Sequence, residues 1–84
     1  MFHWRDRDGS EVDIVIEQPN GMVVGVEVKA ALDIDGSATR GLGTLRDRLG
    51  DRFIAGVVLH FGDRVQWIAD RIVAMPVAAL WTVP

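Results

Sequence analysis

The chain contains no cysteine and a single lysine. Without cysteine there is no disulfide framework, no thiolate metal site and no cysteine nucleophile. Two histidines, His3 and His60, are too few for a structural zinc site. No apolar run approaches the ~18 residues that span a bilayer, and Met1-Phe2-His3-Trp4-Arg5 lacks the layout of a signal peptide. A cytoplasmic protein with no membrane partner is expected. Positive charge is scarce as well. A net charge of −3 argues against a general nucleic-acid coat, because such binding depends on neutralising phosphates, but it leaves room for a local basic patch.

The 84 residues suffice for one domain, 1–84, and a domain of this size buries only around 60 to 65% of its unfolded surface. A hydrophobic content of 49% is rich for so short a chain. The surplus apolar surface calls for cover, from a homodimer or another docking partner. Eight of the nine basic residues are arginines, so the lone Lys29 invites a chemical explanation.

Phe2 to Arg7 reads as a strand, closed by the turn signal Asp8-Gly9-Ser10 before the alternating run Glu11 to Glu17. A second turn, Pro19-Asn20-Gly21, leads into a strand from Met22 to Lys29, which completes an antiparallel meander. Ser37 is placed to cap a helix whose Ala38, Leu42, Leu45 and Leu49 form one stripe, with Gly50 as its stop. Gly41 and Gly43 weaken that helix by about 1 kcal/mol each, which points to close packing on the sheet or on a ligand. Phe53 to Phe61 has the pattern of a strand buried on both faces, reached by a right-handed parallel crossover. A further strand is expected within Arg64 to Asp70, and a short helix from Pro76 carrying Leu80 and Trp81. The expected fold is therefore α/β, with a mixed sheet in βββαβ order.

The register of the second hairpin follows from its loop. Pro, Asn and Gly suit the three places of a type I turn followed by a left-handed residue, so Gln18 faces Met22 and paired positions sum to 40. Asp13 then lies opposite Glu27, and Glu11 opposite Lys29. Alternation assigns Val12, Ile14, Ile16, Met22, Val24, Val26 and Val28 to one face. The charged set shares the other with Val15, Val23 and Gly25, as in a partly covered cleft. Opposed carboxylates repel, so Asp13 against Glu27 calls for a compensating cation, and Mg²⁺, which takes hard oxygen ligands, is the natural candidate. Lys29, on the same face, is placed to steady an attacking water or the charge growing on a phosphate.

Asp13, a strand-turn-strand spacer and Glu27-Val28-Lys29 together resemble the signature of the PD-(D/E)XK nuclease-like superfamily. More closely, Arg5 with Gly9-x-Glu11-Val12-Asp13, Glu27-Val28-Lys29, Gly56-Val57-Val58-Leu59 and Pro76-x-x-Ala79-Leu80-Trp81 resemble the uncharacterised C-terminal domain of prokaryotic AAA-type ATPases, over Phe2 to Trp81. The resemblance implies a restriction-endonuclease-like core lacking its first helix. It implies Asp13 and Glu27 as ligands of Mg²⁺ or Mn²⁺, Lys29 as catalytic, and hydrolysis of phosphodiester bonds in DNA or RNA by an endonuclease or exonuclease. It also implies that the domain is appended to an upstream ATPase. The chain itself has no G-x-x-x-x-G-K-[ST], so ATP is not expected as a ligand.

Each of these residues has a plainer alternative. Asp13, Glu27 and Lys29 could be a charged sheet face in which Lys29 pairs with Glu11 and Glu27, for about 0 to 1 kcal/mol. In that case the module is non-catalytic and recognises a protein or nucleic acid, or is a purely structural dimerisation unit that docks through Trp67 or Trp81. Glu11 is at best an auxiliary ligand. Arg40, Arg46 and Arg48 form either a phosphate-binding patch or a solvated helix face paired with Asp47 and Asp51. His60 reads as a satisfied core histidine, and Trp4, Trp67 and Trp81 read as core or interface anchors. Ser10 and Ser37 have turn and cap roles, which discounts a serine triad.

Overall fold

The computed structural model describes residues 1–5, 7, 11–29 and 36–81, and of 36–38, 80 and 81 the backbone alone. The expected turn at Asp8-Gly9-Ser10, the Ser37 cap, the place of Ala38 in the helical stripe and the side chains of Leu80 and Trp81 lie outside the described residues.

The strands are β1 (Phe2–Arg5), β2 (Glu11–Glu17), β3 (Val23–Val28), β4 (Phe53–His60), β5 (Gln66–Ala69) and β6 (Ile72–Pro76). One helix, α1 (Gly36–Leu49), precedes β4, and 3-10 turns follow at Gly50–Arg52 and Val77–Trp81. The fold is α/β, a mixed six-stranded sheet in the order β1-β2-β3-β4-β6-β5. β1, β2 and β3 pair antiparallel, and β4 runs parallel to both β3 and β6. β5 closes the sheet antiparallel to β6. The strand β6 was not foreseen: Ile72 to Met75 is a short apolar run without a period, and the turn ahead of it rests on Arg71, a non-glycine residue at φ 59°. The Arg71 guanidinium donates to the Gly50 and Phe53 carbonyls at 2.9 and 2.7 Å, which holds the arginine in that conformation.

The β2–β3 hairpin keeps the expected register, with Ile14 opposite Val26 and Glu17 opposite Val23. Its loop is the expected one. Gly21 has φ 85° and donates to the Gln18 carbonyl at 2.9 Å, while Asn20 Oδ1 accepts the Met22 N–H at 2.9 Å. Left-handed Gly50, φ 56°, ends α1 as its stop residue.

α1 lies across one face of the sheet. Leu42 and Leu45 are buried against Val12, Val15, Val23, Phe53, Val58 and Ile72, and Leu49 packs at the edge of this cluster. Burying a leucine such as Leu42 contributes about 1.5–3 kcal/mol. Close approach is set by glycines. A Cβ on Gly25 would stand 2.7 Å from a Leu42 methyl, and a Cβ on Gly41 would overlap the Glu11 carbonyl oxygen. Gly43 has no such reason, for its nearest neighbour would be the Arg46 guanidinium at 3.9 Å.

Two expectations about faces are corrected. β4 is covered on one face only: Gly56, Val58 and His60 are buried under the helix side, whereas Ala55, Val57 and Leu59 on the far side are half-buried. Val12, assigned by alternation to the face of Ile14 and Ile16, packs under α1 with Val15. The reason is a β-bulge. Phe2 pairs with Val15 but Trp4 with Val12, so Asp13 and Ile14 together oppose the single residue His3.

Candidate metal and catalytic site

The predicted carboxylates come together just beyond the last paired residues of the hairpin. The paired β2–β3 register ends at Ile14 opposite Val26. Beyond it, the Asp13 carboxylate takes over as acceptor, and its Oδ2 receives the Val28 N–H at 3.0 Å. Glu27 lies two residues from Gly25 and so on the helix side of β3. There the Asp13 backbone and carboxyl group both interact with the Glu27 carboxyl.

Burial raises the Glu27 pKa from its ordinary 4.5 to about 7, and the charge of Asp13 adds to the rise while Lys29 opposes it. Glu27 Oε2 is sealed from solvent without a hydrogen-bond partner. A buried acceptor in this state is costly, at roughly 1–3 kcal/mol. Lys29 continues β3, its N–H donating to the Leu59 carbonyl at 2.8 Å, so it falls on the side of Glu27.

Glu11 is not set opposite Lys29. Its carboxylate pairs across to β1, 2.8 Å from Arg5, its register partner, and 3.8 Å from His3. Of the basic trio, Arg46 is tied down, donating to Asp47 at 3.1 Å and to the Asp70 carbonyl at 3.1 Å. Arg40 and Arg48 are exposed. At 100° per residue they lie about 80° apart on α1, with Arg46 about 120° from Arg40 on its other side, so the three do not make one stripe. His60 accepts the Gly62 N–H on Nδ1 at 2.9 Å and bonds through Nε2 to the Arg64 carbonyl at 3.0 Å, as a satisfied core histidine does.

Sequence reasoning missed the bulge, although Val12 and Val15, two valines three apart within a strand, were a faint sign of it. No group of three or more His, Asp or Glu side chains is arranged to hold a metal among the described residues, so any ion here rests on the Asp13–Glu27 pair. That pair fits an Mg²⁺-type ion, which is commonly held by one or two carboxylates with water completing its shell.

What fold and site define is an α/β domain with a mixed sheet, one covering helix and a close carboxyl pair beside a lysine. The chain belongs to the family described as a domain of unknown function, DUF4143, whose model matches residues 1–80. No match was found among curated proteins or solved structures. No helix among the described residues is long and apolar enough to cross a membrane.

Proposed function

We propose that the domain is a divalent-metal-dependent, nuclease-like phosphodiesterase of the restriction-endonuclease-like class, acting on DNA or RNA. The observation that carries this reading is the sealed, partnerless Oε2 of Glu27 beside the Asp13 carboxyl group. An acidic pair with a buried unmet acceptor is relieved by a cation. The α/β class, with a mixed sheet in which a parallel strand follows the helix, also supports the reading.

Asp13 and Glu27 would hold Mg²⁺ or Mn²⁺, which when bound supplies a Lewis acid and an activated water. With its pKa raised to about 7, Glu27 is partly protonated near neutral pH, and binding the ion requires release of that proton. Lys29 orients the scissile phosphate and offsets the charge that grows on it. α1 returns against β3 with Gly41 on the Glu11 backbone, so its amino end lies at the carboxylate end of the sheet, where the helix dipole favours an anion.

A non-catalytic module, serving an upstream ATPase or a protein or nucleic-acid partner, is favoured by one observation. Asp13 Oδ2 is already satisfied by Val28, and the two carboxyl groups are able to share a proton instead of a metal.

The test is titration with Mg²⁺ and with Mn²⁺ followed by NMR amide shifts, then cleavage assays on single- and double-stranded DNA and RNA. Saturable shifts at residues 11–15 and 27–29, lost in Asp13→Ala and Glu27→Gln, with cleavage also lost in Lys29→Met, are the expected result. Absence of shifts at millimolar metal overturns the metal reading, and shifts without cleavage favour the non-catalytic module.

A further inference from the structure

The sheet face opposite α1 has no cover among the described residues. Register places Ile14, Ile16, Val24, Val26 and Val28 of the hairpin on it, continued through Val57 and Leu59 of β4 and Val73 of β6 to Trp67 of β5. None of these positions is polar. Ile16 is 42% exposed and Trp67 71%. Val28 is 46% exposed, the strand centres between are half-buried and Val73 is buried, so the exposed apolar positions stand at the two ends of an apolar face, as at an interface.

We infer that this face pairs with the same face of a second copy of the chain. Three observations select that occupant. Away from its β1 border the face carries no charge, so an isologous pairing buries no unmatched ion there and needs no complementary partner. The ionic groups at its β1 border, Arg5 and Glu11, already pair with each other at 2.8 Å, so they do not demand charge from outside. The molecule is a slab of 31 × 31 × 21 Å whose thin dimension matches one sheet and one helix layer. Its broad side is therefore large enough for the ~800 Å² per partner that a stable interface occludes.

Two sheets stacked in this way lie about 10 Å apart with interdigitated side chains. Glu27 points to the helix side and Val26 to the shared side, so the pairing leaves the carboxylate site open. The inference is thus independent of the proposed catalysis.

Sedimentation and light scattering of the 84-residue chain over a wide concentration range test it. A concentration-dependent rise to twice the 9.3 kDa chain mass is expected. Trp67→Glu and Ile16→Glu, at opposite ends of the face and both exposed, each weaken association at least tenfold. Their dilute-solution thermal melts stay unchanged, and Asp51→Arg, exposed in the turn between α1 and β4, leaves association intact. A single-chain mass at every concentration overturns the inference and leaves the face to a different polypeptide. So does a dimer that survives both face variants, or one that Asp51→Arg disrupts equally.

Discussion

The two faces of the sheet invert the usual relation between composition and burial. The helix-covered face carries Glu27 and two glycines, Gly25 and Gly56, yet holds the core: Val12, Val15, Val23 and Val58 are buried beneath Leu42 and Leu45. The opposite face is apolar away from its β1 border and has no cover among the described residues, with Ile16, Val28 and Trp67 exposed. Hydrophobic alternation therefore marks which residues share a face only where no bulge intervenes, and does not mark which face receives the helix. Here α1 chose the side where glycines let it sit close, and that choice leaves a carboxyl pair half under cover.

The sharpest break of this comparison is Gly41→Ala. The added methyl meets the Glu11 backbone, which cannot rotate away, so α1 must lift from β2. A loss of about 3 kcal/mol or more, at the upper end of overpacking costs, is expected in denaturant unfolding.

Next in size is a matched pair of truncations measured on the dilute protein. Leu42→Ala on the covered face should cost about 2–5 kcal/mol, as for a fully buried leucine. Leu59→Ala on the open face should cost distinctly less, with the gap narrowing at high protein concentration if that face is paired. Equal costs in dilute solution would show that the open face is already covered.

A smaller effect concerns pH. Because Glu27 titrates near 7 when folded and near its ordinary 4.5 when unfolded, the folded protein retains a proton that the unfolded chain releases. The associated stability is complete below about pH 4.5 and is lost as pH rises through about 7. Glu27→Gln should therefore melt higher than the parent at pH 8 and nearly together with it at pH 4. Mg²⁺ should raise the parent's melting temperature at pH 8 and leave the variant's unchanged.

The smallest expected change has the opposite sign. Gly43→Ala places a methyl in near-open space on α1 and should stabilise by about 0.5–1 kcal/mol, the ordinary helix-propensity gain. Read beside Gly41→Ala, it separates the glycine that docks the helix from the one that does not.

Much of the site was legible because hairpin loops obey local rules. Pro19-Asn20-Gly21 permits few geometries, and the register it sets carries Asp13 toward Glu27 before any tertiary contact is known. The stripe of Leu42, Leu45 and Leu49 gave the helix and its buried side, and Gly50 gave its end. What failed were inferences that needed the neighbours of a strand. The bulge at Asp13–Ile14 depends on pairing with β1 and redirected Val12, and Glu11 pairs across to the same strand. The arginines looked alike in sequence, but Arg46 and Arg71 are consumed by backbone carbonyls far along the chain.

From sequence alone came the α/β class, the hairpin register and the pairing of two acids with a lysine, all consequences of period, turn chemistry and residue spacing. Tertiary structure alone decided which face α1 covers, because the close approaches of Gly41 to the β2 backbone and of Gly25 and Gly56 to Leu42 exist only between elements already packed together. It also decided the character of Glu27. A carboxyl group's spacing is written in the chain, but its proton affinity depends on the desolvation and the neighbouring charge that packing imposes.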